Sequence, residues 1–195
     1  MTSETKNEES RMPEPASINT LNTNIIVSIS VENPRWRDTD FGVPLENLLE
    51  TMVRTSLMSA DAPALNAAEN TEVSLILMDD QTIHSINREY RGFDKPTNVL
   101  SFPQLQPKEV KSTSLKNRSF LPLGDILVSL DTIEKEAADQ GKDLQDHLAH
   151  MIVHGCLHLL GYDHMNNGQA DEMETLETAI LTGLGYAPPY DNDDE

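Results

Sequence analysis

Apolar positions recur along this chain with two different periods, and together they outline a mixed fold. Asn24 to Val31 is rich in β-branched residues and alternates toward its end, and Glu72 to Met78 has the same character, so both read as strands. A third strand spans Thr97 to Pro103, where proline stops it, and a fourth spans Leu123 to Leu130. Between them the period changes to that of a helix. Leu45, Leu48, Leu49, Met52 and Val53 follow Pro44 at helical spacing and predict a helix to about Ser59. Asp79 or Asp80 caps a shorter helix through Ile83, Ile86 and Asn87, and Gly92 and Pro96 mark the loop after it. Asp131, with Glu134 three residues on, has the form of a capping box for a helix that Gly141 ends. A long helix from about Asp143 to Leu160 and a last one from about Gln169 to Leu184 complete the set. The expected architecture is α+β: a small four-stranded mixed sheet packed with five to six helices.

The chemistry is concentrated at the end of the long helix. His154-Gly155-Cys156-Leu157-His158-Leu159-Leu160-Gly161-Tyr162-Asp163-His164 holds three of the six histidines. On a helix, His154 and His158 lie one turn apart on the same face, close enough to share an ion. Gly161 suits the left-handed conformation that ends a helix, which lets the chain turn and return His164 to the same point. Three neutral imidazoles suit zinc, and they leave a fourth position for water. The spacing is that of the metzincin peptidases, whose helix carries a Glu after the first His, but here Gly155 stands in its place. His147 and His150 share the stripe and are expected to hydrogen-bond rather than ligate. His84 is expected at the surface, Cys156 as a packing residue and Asp163 as a stabiliser of the turn.

Composition adjusts this picture in three ways. The 195 residues suit one domain with tails: an acidic, disordered extension over 1–20, a domain over 21–190, and an acidic tail over 191–195. No apolar run is long enough for a membrane span, and the N-terminus lacks a signal peptide's pattern, so a soluble, unexported, cytoplasmic protein is expected. The net charge of -19 argues against a generic nucleic-acid coating protein. Yet Arg88, Arg91, Lys95, Lys108, Lys111, Lys116 and Arg118 are clustered, opposed there only by Glu89, Asp94 and Glu109. That segment is locally cationic, and it carries Tyr90 and Phe93, either of which can stack on a base, while Phe93 can equally pack in the core.

The histidine run, with Tyr90-Arg91-Gly92, Lys95-Pro96-Thr97-Asn98-Val99-Leu100-Ser101-Phe102-Pro103 and Leu123-Gly124-Asp125, resembles the YbeY family of bacterial endoribonucleases over roughly Ile25 to Tyr190. The resemblance implies one zinc ion held by His154, His158 and His164, with Arg91 as the active-site arginine. It also implies single-stranded RNA, not DNA, as substrate. The family's work is ribosomal RNA maturation, notably at the 3′ end of the small-subunit (16S) RNA, and ribosome quality control, so the ribosome or its small-subunit proteins are implied partners. In the chemistry so implied, His154 and Arg91 are catalytic, and Arg91 and Lys95 bind the substrate. The extension before Thr20 and the longer loop around Pro107 to Phe120 depart from the shorter members. A zinc hydrolase of peptides or small molecules, and an assembly factor with a purely structural metal, are the rival functions.

Overall fold

The computed structural model describes residues 21–113, 115 and 118–190. The extension through Thr20, the tail from Asp191, and Lys116 in the basic segment lie outside the described residues. The order is β1 (Asn24–Val31), α1 (Arg35–Asp38), α2 (Leu45–Ser59), a 3-10 turn (Pro63–Ala67), β2 (Asn70–Met78), α3 (Asp80–Arg91), β3 (Val99–Pro103), α4 (Pro107–Val110), β4 (Leu121–Ser129), α5 (Leu130–Gln140), α6 (Leu144–Leu159) and α7 (Asn167–Gly183). The sheet runs β1-β2-β4-β3, with β1, β2 and β4 parallel and β3 antiparallel at one edge. This is the α+β arrangement with a four-stranded mixed sheet that the hydrophobic pattern predicts.

Strand alternation assigns the two faces to different helices. Val73, Leu75, Leu77, Ile126 and Val128 join α2, α6 and α7 in the main core, which also takes the fully buried Trp36 of α1. The opposite face pairs Ile76, Met78, Leu100, Phe102 and Leu127 with Ile83 and Ile86 of α3. Helix α6 is sunk deepest: Leu148, Ala149, Ile152, Val153, Cys156, Leu157 and Leu159 are wholly buried. Burial also pushes the Cys156 thiol up to about 12, so it is a packing group and not a thiolate.

Three expectations change in detail. The capping box at Asp131 and Glu134 does not form, because α5 begins at Leu130 with Ser129 as its cap. Both carboxylates instead receive the guanidinium of Arg35, and Asp131 also accepts the Asp80 amide, so they tie α1 and α3 to α5. Helix α3 continues through Tyr90 to Arg91, where Gly92 ends it at φ 75°. The loop over Gln104–Pro122 contains α4, whose Glu109 carboxylate accepts the Gln106 amide at 2.8 Å, and the final strand begins before the loop's expected end, at Leu121. No described helix is long and apolar enough to cross a membrane.

Candidate metal centre

Asp143 caps α6 by accepting the Gln145 amide, and sixteen residues later the helix delivers its last turn to the surface. Gly161 takes φ 83°, and the Gly161 and Tyr162 amides close back on His158 and Leu157 carbonyls. Pro107 of α4 packs where a Gly161 side chain would stand, so glycine is required on two counts. The Asp163 carboxylate accepts the His164 amide at 2.8 Å, which fixes the return. The result is the expected convergence: ring centroids of His154 and His158 lie 4.5 Å apart, His158 and His164 5.2 Å, and His154 and His164 5.6 Å. One ligand nitrogen from each falls within 4.8 Å of the other two.

Hydrogen bonding on the far sides of the rings sets their tautomers. His158 Nδ1 lies 3.0 Å from the Tyr162 carbonyl, which can only accept, so Nδ1 carries the proton and Nε2 keeps its lone pair. His154 Nδ1 lies 2.8 Å from Glu177 Oε1, and the same argument frees its Nε2. The two Nε2 atoms then face each other at 3.0 Å. At that separation either a proton shared between the two nitrogens or a metal ion between them relieves the repulsion of two lone pairs. Two nitrogens bound to one tetrahedral zinc at about 2.0–2.1 Å are about 3.3 Å apart, so a small adjustment fits the ion. The donor set therefore suits zinc, and His164, exposed at the rim, could offer the third nitrogen.

Glu177 is the residue that sequence reasoning missed. It is fully buried on α7, yet it stays ionised: burial alone would raise its pKa, but bonds from His150, His154 and Tyr190 bring it down to about 2. Its hydroxyl partner Tyr190 is pushed up by burial and by that negative charge. A signal was present, since Glu177 falls on the helix face of Met173, Ile180 and Leu181, where a carboxylate has no place without partners. Glu177, His150 and His154 could also hold an ion, but these atoms already satisfy one another. His147 likewise pairs with Glu136 at 2.8 Å, so neither His147 nor His150 enters the three-histidine cluster. His84 sits partly exposed against Asp94.

Arg91, Ser101, Pro103, Leu105 and Pro107 join His158, Tyr162, Asp163 and His164 around an open pocket of about 370 Å³. Arg91 reaches it from the C-terminus of α3, and no described carboxylate pairs with it. Lys95 does not line the pocket; it stays exposed in the loop beyond, its carbonyl held by Asn87. Lys111 of the basic segment is spent on Asp61 and on the face of the Tyr162 ring, and so braces the turn. Gly155 is packed against the sheet, with Ile126 and Ser101 filling the place of any side chain. A helix-borne glutamate base of the metzincin kind has no room there.

The pocket also makes a prediction about pH. Burial first, then the neighbouring His154 and His164, lower the His158 pKa from 6.5 to about 4. An unfolded chain takes up a proton near pH 6.5 that the folded one refuses until about 4, so the metal-free protein loses stability as pH falls through that window. The urea midpoint of chelated protein should drop between pH 7 and 4.5; a flat or rising midpoint would show that His158 is not held neutral.

Fold and cluster together define a class: an α+β protein whose three imidazoles at a helix end are arranged for a divalent cation. A family model described as endoribonuclease YbeY matches residues 37–185. An endoribonuclease YbeY from Rhizobium etli is 51% identical over 123 residues, covering 63% of this chain and 68% of that relative. A solution structure of a Thermotoga maritima protein aligns with 87% of this chain and 100% of that one, at 21% identity and a TM-score of 0.46. This chain belongs to the YbeY family of endoribonucleases.

Proposed function

We propose that the protein is a zinc-dependent endoribonuclease that cuts single-stranded RNA in ribosomal RNA maturation, at the 3′ end of the small-subunit RNA, and in ribosome quality control. Residues 21–190 form the single domain that carries the activity, working in the cytoplasm on the ribosome or its small-subunit proteins. The observation that carries this reading is the three-histidine cluster, with the Nε2 atoms of His154 and His158 facing each other at 3.0 Å and His158 and His164 lining one pocket with Arg91, which pairs with no carboxylate among the described residues. His154, His158 and His164 would hold one zinc ion, with His154 kept in register by Glu177. Such an ion supplies positive charge that polarises a phosphoryl oxygen and acidifies water.

The chain's own residues supply the rest. Arg91 offers the scissile phosphate a planar fork of donors that never loses its charge, and it gains most where charge builds up in the transition state. Lys95, outside the pocket, meets the RNA backbone farther along. The absence of space at Gly155 removes the peptidase's base and speaks against a peptide substrate.

Arg91→Ala should leave metal content unchanged and cut turnover about a hundredfold, the usual cost of one transition-state donor. The check is zinc analysis beside single-turnover cleavage of a labelled RNA containing the small-subunit 3′ end. Equal loss of metal and activity would assign Arg91 to the fold of the site, and cleavage of casein in place of RNA would replace the proposal with a peptidase.

A further inference from the structure

Tyr90 and Phe93 flank Arg91 and are 66% and 57% exposed, two of the five large hydrophobic side chains that stand out to solvent among the described residues. Neither is loose. Tyr90 is propped edge-on against Phe102 of β3 at 5.4 Å. Phe93 sits on a loop stapled at both ends: Gly92 caps α3, the Phe93 carbonyl accepts the Lys95 amide at 3.0 Å, and the Lys95 carbonyl accepts the Asn87 side chain at 2.8 Å. The one acid of that loop, Asp94, is turned back onto His84 at 2.8 Å and Arg88 at 3.8 Å. What remains outward is Tyr90, braced by Phe102, and Phe93 on a hydrogen-bonded loop, with Arg91 and Lys95 between and beside them, on a chain of net charge -19.

Ser101 and Phe102 are successive residues of a strand and so point to opposite faces of the sheet. Ser101 lines the pocket with His158, while Phe102 supports Tyr90 on the α3 side. Because β3 is the sheet's edge, a strand entering the pocket can pass Arg91 and continue around that edge onto the aromatic side chains. We infer that Tyr90 and Phe93 form a stacking platform for unpaired nucleobases of the RNA strand one or two nucleotides from the scissile phosphate. The inference rests on the ribonuclease reading above. Its occupant is single-stranded RNA because stacking needs exposed base faces, which a duplex keeps inside, and because the flanking cations match phosphates. The platform would contribute to substrate choice by demanding local single-strandedness while tolerating any base.

Both side chains are exposed, so their removal leaves the fold and the metal pocket alone. Tyr90→Ala and Phe93→Ala should each weaken binding of a short, non-cleavable 2′-O-methyl single strand about tenfold, at the low end of the loss of a base stack. Zinc content should not change, and Tyr90→Phe should restore binding. Phe93→Trp adds a direct reporter, since the protein's single tryptophan, Trp36, is wholly buried and its signal can be subtracted. Its emission should be quenched by the single strand and not by polyphosphate of equal charge. Unchanged affinity in both alanine variants, or equal quenching by polyphosphate, would overturn the platform while parental RNA cleavage still upheld the ribonuclease. Loss of binding to ribosomal protein with RNA affinity intact would overturn it in favour of a protein contact. A parent that neither binds nor cuts RNA would overturn both.

Discussion

Replacing His158 by alanine should abolish zinc binding at equimolar metal and lower RNA cleavage at least about a thousandfold, without unfolding the protein. The ring supplies one of the two Nε2 atoms that face each other at 3.0 Å, and two remaining imidazoles, one of them exposed, make a weak chelate. Stability should move little. The side chain is only partly buried, in the last turn of α6 at the surface. Metal-free His158→Ala should therefore unfold within about 1 kcal/mol of the metal-free parent, the ordinary range for a change outside the core. The parent alone should then gain stability from added zinc, because an ion that binds only the folded state stabilises it by mass action. Zinc titration followed by thermal unfolding checks both halves. An alanine variant that stabilises with zinc as the parent does would place the ion elsewhere.

The largest loss of stability is expected at Gly155, next to His154. Restoring the glutamate that a metzincin carries there would put a Cβ 2.9 Å from the Ile126 methyl and 3.3 Å from the Ser101 hydroxyl. Ile126 is fully buried in β4 and cannot retreat. Overpacking of this kind costs about 1–3 kcal/mol by itself, and a carboxylate forced under the helix without a partner adds its own desolvation. Gly155→Glu should thus lower the unfolding free energy by more than about 3 kcal/mol, or leave the protein in aggregates, and should not create peptidase activity. Gly155→Ala isolates the steric part and should cost about 1–3 kcal/mol. A soluble Gly155→Glu with the parent's melting temperature would show that α6 stands farther from the sheet than described.

Much of the site could be read from the sequence because its logic is local. His154, His158, Gly161 and His164 occupy one helix end, and the spacing of four plus a left-handed glycine determines where those rings go. Arg91 was legible only through its family motif, since nothing local ties the C-terminus of α3 to a pocket made by α6 and β3. Glu177 stayed hidden for the same reason. Its partners His150 and His154 are 27 and 23 residues away, and along α7 it stands among Asp171, Glu172 and Glu174, which are ordinary surface acids. The capping box at Asp131 failed because α5 begins one residue earlier, at Leu130, which leaves the Asp131 carboxylate to Arg35, 96 residues away in the chain. Phe93 could have faced either way by composition; it stands exposed in the loop after α3, and Tyr90 on the helix's added last turn. The strands were legible one by one, whereas their order, with β3 antiparallel at the edge, depends on pairings that no short window of sequence contains.

The most direct test is diffraction from zinc-loaded crystals, measured on both sides of the zinc absorption edge. The account predicts one anomalous peak bound by Nε2 of His154, Nε2 of His158 and a ring nitrogen of His164, with a fourth position open to the pocket that Arg91 lines. A peak among His150, His154 and Glu177, or an ion closed off by a fourth protein ligand, would contradict it.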